Sequence, residues 1–83
     1  MSYKIDPNDI QHTYDLVMSR GIPTEHGRVL DGVEARLDCG DYEVYLRGYG
    51  AQVKMRGHHS YHVDYAEQAL RDEFLRKVAA MAK

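Results

Sequence analysis

Three consecutive segments of this chain alternate apolar and polar residues with a period of two, and this pattern constrains the fold more than any other feature. The segments are residues 33–38, 42–47 and 51–56. Successive side chains of a strand point to opposite faces, so each segment predicts a strand with one apolar face. Two-residue turns at Cys39-Gly40 and Tyr49-Gly50 would keep apolar residues opposite one another in both hairpins. The sequence therefore predicts a three-stranded antiparallel meander, with Ala35 opposite Val44 across its first turn.

A helix is predicted before the strands, over residues 7–20, where apolar residues recur at helical spacing. Asp6 suits the N-cap, because its carboxylate can accept bonds from free amides of the first turn. Pro7 suits the next position, where its missing N–H costs nothing. Gly21 stands where a left-handed residue would end the helix, and residues 22–32 are expected to form a connector.

A second helix is predicted after the strands, over residues 65–82, with Asp64 and Glu67 resembling a capping box. Residues 57–64 are polar and aromatic, which indicates a loop or a short edge strand. The predicted fold is an α+β domain of order α-β-β-β-α, a three-stranded antiparallel sheet with two helices packed on one face. At 83 residues, we expect one domain, 1–83, with one modest core.

This element order resembles the double-stranded RNA-binding domain, a family of similar length and the same topology. That family carries a lysine-rich motif at the start of its last helix, where it binds phosphates. The corresponding segment here is VDYAEQALRDE, with Asp64 and Glu67 where lysines would be needed. The resemblance covers element order alone, so it implies neither that fold nor RNA binding.

Composition disfavours several classes of function. The chain has 11 Lys and Arg against 13 Asp and Glu, a net charge of −2 with neutral histidines, whereas non-specific nucleic-acid binding normally accompanies a basic excess. The apolar stretches are too short to span a membrane, and the amino terminus lacks the apolar core of a signal peptide. A single cysteine fits a reducing compartment. We therefore expect a cytoplasmic protein without membrane association.

No pattern in the sequence predicts an enzyme. Neither a nucleophile–base spacing nor a glycine-rich phosphate loop is recognisable, because Gly48 and Gly50 lie in a predicted hairpin. Cys39 has the acidic neighbours Asp38 and Asp41, whose charge is the wrong sign for activating a thiol. We expect no catalytic residue and no cofactor.

Three histidines near the end of the strand region are the nearest approach to a chemical cluster. His58, His59 and His62 lie close to Asp64, but they lack the two separated pairs of ligands that structural zinc sites use. We therefore expect no metal site and infer a pH-sensitive surface instead. If all five histidines became protonated, the net charge would change from −2 to +3.

The outward face of the predicted sheet is the surface that we expect to carry function. It combines arginine and tyrosine, which are enriched at binding hot spots, and its cations outnumber the carboxylates Glu34 and Glu43. The predicted protein-binding residues are Arg36, Tyr45, Arg47, Lys54 and Arg56 on this face, with Tyr49, His59 and Tyr61 at its margin.

Three functions are compatible with these features. The first is a small non-enzymatic binding module that docks on a larger protein or complex, as inhibitors and adaptors do, including those of phages and mobile elements. The second is nucleic-acid binding by the same sheet face, where arginine, lysine and tyrosine could contact a groove or stacked bases. The third is a homodimer formed through the open sheet edge. The sequence leaves both a monomer and a homodimer open.

Overall fold

The computed structural model describes residues 4–36, 43–56 and 60–82. It begins with a 14-residue helix, α1 (Pro7–Arg20), and ends with a second 14-residue helix, α2 (Gln68–Met81). Between them, the described residues form six strands: β1 (Ile22–Pro23), β2 (Gly27–Leu30), β3 (Val33–Arg36), β4 (Glu43–Gly48), β5 (Ala51–Arg56) and β6 (Ser60–Tyr65). The strands form one antiparallel sheet in the order β1-β2-β3-β4-β5-β6.

The α+β class and the antiparallel sheet are confirmed, whereas the predicted three-stranded sheet and the α-β-β-β-α order are wrong. The predicted connector forms β1 and β2, and the segment after β5 forms β6. Asp31 and Gly32 make a two-residue turn with φ values of 52° and 80°, the geometry that an Asp-Gly pair favours between strands. That pair was the sequence signal for the β2–β3 hairpin. With six strands, the element order also departs from that of the double-stranded RNA-binding domain.

Of the two strand registers predicted from the sequence, one is confirmed and one is wrong. The turn at Tyr49-Gly50 and the β4–β5 register are confirmed. The predicted β3–β4 register is wrong, because Ala35 lies opposite Leu46 rather than Val44. This difference is two residues, so each side chain keeps its predicted face, since the period of a strand is also two. Residues 37–42, which include the predicted first turn, lie outside the described residues.

Helix α1 has its predicted bounds, but its end differs from the prediction. The Asp6 carboxylate caps the helix by accepting a hydrogen bond from the Asn8 amide at 2.8 Å. Gly21 is extended, with φ −72° and ψ 163°, so the predicted left-handed end is wrong. A Cβ at this position would lie 2.4 Å from the Val17 carbonyl oxygen. Glycine is therefore required here by the close approach of the backbone rather than by a positive φ.

Helix α2 begins at Gln68, three residues later than predicted, because β6 continues to Tyr65. Glu67 is the N-cap residue, and its side chain makes no capping hydrogen bond. The predicted capping box is therefore wrong, since Asp64 belongs to β6. Tyr65, the predicted first residue of the helix, is therefore the last residue of β6.

Both helices pack on the same face of the sheet, as predicted. Their buried residues join the inward residues of β3, β4 and β5 in one apolar cluster, and Phe74, Ile10 and Leu46 are its largest members. Thr13 is also fully buried, and its hydroxyl donates to the Val78 carbonyl at 2.6 Å, which joins α1 to α2. Within the described residues, the opposite face of the sheet carries no helix.

Candidate functional site

The sheet face turned away from the helices is the candidate functional site, and we call it the open face. Partners in an antiparallel ladder place their side chains on the same face, so the observed register defines its members. The described side chains of the open face belong to Ile22, Val29, Glu34, Arg36, Tyr45, Arg47, Gln52, Lys54, Arg56, Ser60, His62 and Asp64.

Five of the eight predicted binding residues lie on the open face. Arg47, Lys54 and Arg56 are exposed, whereas Arg36 and Tyr45 are half-buried. The guanidinium carbon of Arg36 lies 5.2 Å from the centroid of the Tyr45 ring, within the range of a cation–π contact. The corrected β3–β4 register therefore brings the arginine of one strand over the tyrosine of the next.

The other three predicted residues have different positions. Tyr49 lies in the β4–β5 turn at one end of the sheet, and its hydroxyl donates to the Asp31 carbonyl at 2.8 Å. Tyr61 pairs with Met55 on the helix side of the sheet, and its hydroxyl accepts a hydrogen bond from the Ile5 amide at 3.2 Å. His59 lies outside the described residues. The structure thus brings Tyr49 to the margin of the open face and separates Tyr61 from it.

A chain of side-chain hydrogen bonds, the polar chain, crosses the open face from β4 to β6. The Tyr45 hydroxyl donates to Gln52 Oε1. Gln52 Nε2 donates to Asp64 Oδ2 at 3.2 Å, and Asp64 Oδ1 lies 2.9 Å from His62 Nε2. The hydrogen bond from Gln52, followed by that of His62, holds the pKa of the Asp64 carboxyl below its ordinary value.

The sequence analysis did not count Gln52 among the binding residues and did not place His62 and Asp64 on this face. The sequence does contain a pattern that indicates β6, because Tyr61, Val63 and Tyr65 alternate with the polar residues between them. Alternation of this kind predicts a strand. Recognising β6 would have extended the open face by one strand and set Asp64 opposite Gln52.

The open face has the opposite charge balance from the whole chain. Its described side chains include four cations, Arg36, Arg47, Lys54 and Arg56, and two carboxylates, Glu34 and Asp64. The chain as a whole has a net charge of −2. An acidic surface would therefore approach this face more favourably than the remainder of the molecule.

A shallow depression of about 810 Å³ lies where the open face meets the turns. Its lining includes Glu34, Arg47 and Gln52 from the sheet and Tyr49 from the β4–β5 turn. Ligand pockets that hold small molecules bury most of the ligand surface, whereas this depression is open to solvent.

Two further findings bear on the predicted absence of metal and membrane sites. Among residues 4–36, 43–56 and 60–82, no three His, Cys, Asp or Glu side chains are grouped to hold a metal ion. In the same part of the chain, neither helix is long and apolar enough to cross a membrane. Cys39, His58 and His59 lie outside the described residues.

Comparison with known proteins gives one match. Residues 5–83 match the model of a family described as "Protein of unknown function (DUF3081)". No curated protein and no solved structure is significantly similar to the chain.

Proposed function

The chain belongs to the DUF3081 family, and we propose that it is a small non-enzymatic module that binds a larger protein through the open face. The observation that carries this proposal is the position of Tyr45. Its half-buried ring lies beneath Arg36, with Arg47 on the same strand and Lys54 opposite it in β5. Tyrosine and arginine dominate binding hot spots, because they combine a large contact area with directional hydrogen bonds.

Tyr45 is held in place before any partner binds. Arg36 covers its ring, and its hydroxyl is hydrogen-bonded to Gln52, which in turn bonds to Asp64. Fixing a side chain during association costs free energy, and a side chain already restrained loses less freedom. The contacts around Tyr45 therefore support its role as the centre of the binding surface.

The charges of the open face favour a partner with an acidic surface. The four cations outnumber the carboxylates Glu34 and Asp64, even when Glu43, which pairs with Arg56, is added. This excess complements negative charge, and such complementarity increases association rates and orients the partners. The negative remainder of the chain would disfavour other orientations. We infer that the module acts in the cytoplasm by occupying an acidic surface of its partner, as an inhibitor or an adaptor.

The test compares partner binding by a variant of the open face with that of a control variant that loses the same number of positive charges. The face variant is Arg47→Ala with Lys54→Ala, and the control is Lys4→Ala with Arg20→Ala, which also removes one exposed lysine and one exposed arginine. Each chain is immobilised and used to capture proteins from nuclease-treated lysate of the native host. The captured partner is then purified and its Kd is measured by calorimetry. We expect the wild type and the control to bind it and the face variant to bind it weakly.

Tyr45→Ala tests the proposed centre of the surface separately. We expect it to weaken binding by about 2 kcal/mol or more, roughly thirtyfold in Kd, while circular dichroism shows that the domain stays folded. Equal affinity of the face variant and the control would contradict the proposal. Binding that occurs only in a parallel capture from untreated lysate, and that falls steeply with salt, would instead support a nucleic-acid ligand.

A further inference from the structure

The two edges of the sheet differ in their capacity to pair with another strand. Strand β1 has only two residues, and one of them is Pro23, which has no N–H to donate. Strand β6 has six residues, contains neither proline nor lysine, and pairs with β5 at every position without a bulge. Within the described residues, β6 has a strand neighbour on one side only. Proteins normally protect exposed edges of this length, because they are templates for strand pairing.

The helix side of β6 is also incompletely covered. Val53 and Met55 in β5 are buried, whereas their partners Val63 and Tyr61 are half-buried, and Tyr65 is 46% exposed. Apolar and aromatic area therefore remains accessible beside the exposed backbone edge. A further strand along β6 would cover both.

We propose that two copies of the chain associate through β6, which pairs antiparallel with β6 of the second copy about a two-fold axis at Val63. In this register, His62 lies opposite Asp64 of the second copy, and the symmetry repeats this pair. On the helix side, Tyr61 lies opposite Tyr65 of the second copy, and the two Val63 residues face each other. The two sheets become one, with both open faces on the same side.

Charge complementarity identifies a second copy as the occupant of this edge. His62 and Asp64 are exposed on the same side of β6, two residues apart, with side-chain exposures of 75% and 60%. These two side chains contact each other within the strand, His62 Nε2 lying 2.9 Å from Asp64 Oδ1. A two-fold axis at the residue between them would exchange this contact for two reciprocal His–Asp contacts between the copies. In each pair, the imidazole of His62 can donate a hydrogen bond to the Asp64 carboxylate of the second copy, and the pair becomes an ion pair when His62 is protonated. Directly opposed groups of opposite charge stabilise strand pairing, and like charges destabilise it. The strand is therefore complementary to itself. This association is independent of the proposed binding of another protein.

The test uses charge reversal at the two positions. Wild type is expected to form a dimer in sedimentation velocity runs from dilute solution to the highest soluble concentration. His62→Asp would place two carboxylates opposite each other at both symmetric positions, and we expect the dimer Kd to rise roughly tenfold or more. His62→Lys is the matched control, because it keeps a side chain opposite Asp64 that donates to the carboxylate and should preserve the dimer.

A mixing experiment tests the register itself. Asp64→Lys alone places a lysine opposite His62 of the second copy and should also weaken self-association. An equimolar mixture of His62→Asp and Asp64→Lys chains restores opposite charges at one of the two symmetric positions and leaves the native residues at the other, so heterodimers should form. Hydrogen exchange should show that β6 amides gain protection as the wild-type concentration rises. A monomeric wild type, or a dimer unaffected by His62→Asp, would overturn the proposal.

Discussion

Asp64 is an exposed carboxylate whose ionised form is stabilised by its neighbours. It accepts a hydrogen bond from Gln52 Nε2 and pairs with His62 Nε2 at 2.9 Å, and these contacts lower its pKa below the ordinary value of 3.8. A carboxyl whose pKa is lower in the folded state stabilises that state above the unfolded pKa. This contribution is lost as the pH falls through the lowered pKa. The polar chain should therefore weaken in strong acid.

Gln52→Met tests the main cause of this shift, because methionine matches the length of glutamine without its amide. Removing the Gln52 hydrogen bond should raise the pKa of Asp64 towards its ordinary value, as measured by NMR titration of the carboxyl carbon. Gln11→Met on α1 is the matched control and should leave this pKa unchanged. An unaltered Asp64 midpoint in Gln52→Met would show that the polar chain does not form in solution.

Single elements were predictable where their boundaries depend on neighbouring residues. Helix α1 begins after Asp6, whose carboxylate bonds to the Asn8 amide two residues later. The turn at Tyr49-Gly50 likewise depends on two residues that adopt positive φ. Helix α2 was placed too early, because β6 pairs with β5 up to Tyr65. The pairing of β6 with β5 outweighed the capping-box pattern of Asp64 and Glu67, which had predicted an earlier helix start.

Asp6→Ala measures how much the N-cap at the start of α1 contributes to the free energy of unfolding. Losing the cap should lower the free energy of unfolding by about 1 kcal/mol, because the Asn8 amide loses its acceptor. Urea denaturation measures this change through the midpoint at constant slope. Asp6→Asn is the control, since asparagine caps helices as well as aspartate does. Equal losses in both variants would indicate that charge rather than capping matters at this position.

At the scale of the whole molecule, the two helices are joined by a contact between distant parts of the chain. The buried Thr13 hydroxyl donates to the Val78 carbonyl across 65 residues of sequence. The same carbonyl also accepts the Ala82 amide at 3.2 Å. The threonine bond is therefore an additional contact between α1 and α2 rather than the only partner of that oxygen.

Thr13→Val removes this contact while nearly preserving the shape of the side chain. The Val78 carbonyl keeps its bond to Ala82, so the expected loss is that of one hydrogen bond, about 0.5–1.5 kcal/mol of unfolding free energy. Thermal or urea unfolding would measure it. A variant as stable as the wild type would contradict a stabilising role for the interhelical bond.

The sequence predicted most of the open face but not its extent. Tyr45, Arg47, Lys54 and Arg56 were placed on one face because alternation in β4 and β5 determines which side each residue occupies. Tyr61 was assigned to the margin of this face because its segment was left open as a loop or a short edge strand. The contact between Arg36 and Tyr45 required the observed β3–β4 register, which differs by two residues from the predicted one.

Local chemistry alone determined α1, the β4–β5 hairpin and the alternation that separates a polar from an apolar face, because each depends on residues close in sequence. Only the tertiary structure decided that the described part of the chain forms a sheet of six strands, that Ala35 lies opposite Leu46, and that Asp64 belongs to β6. Each strand pairs with the next along the chain, but alternative registers compete for the same backbone hydrogen bonds. The register that also buries the apolar face under both helices prevails. The open face and the exposed edge of β6 follow from that pairing.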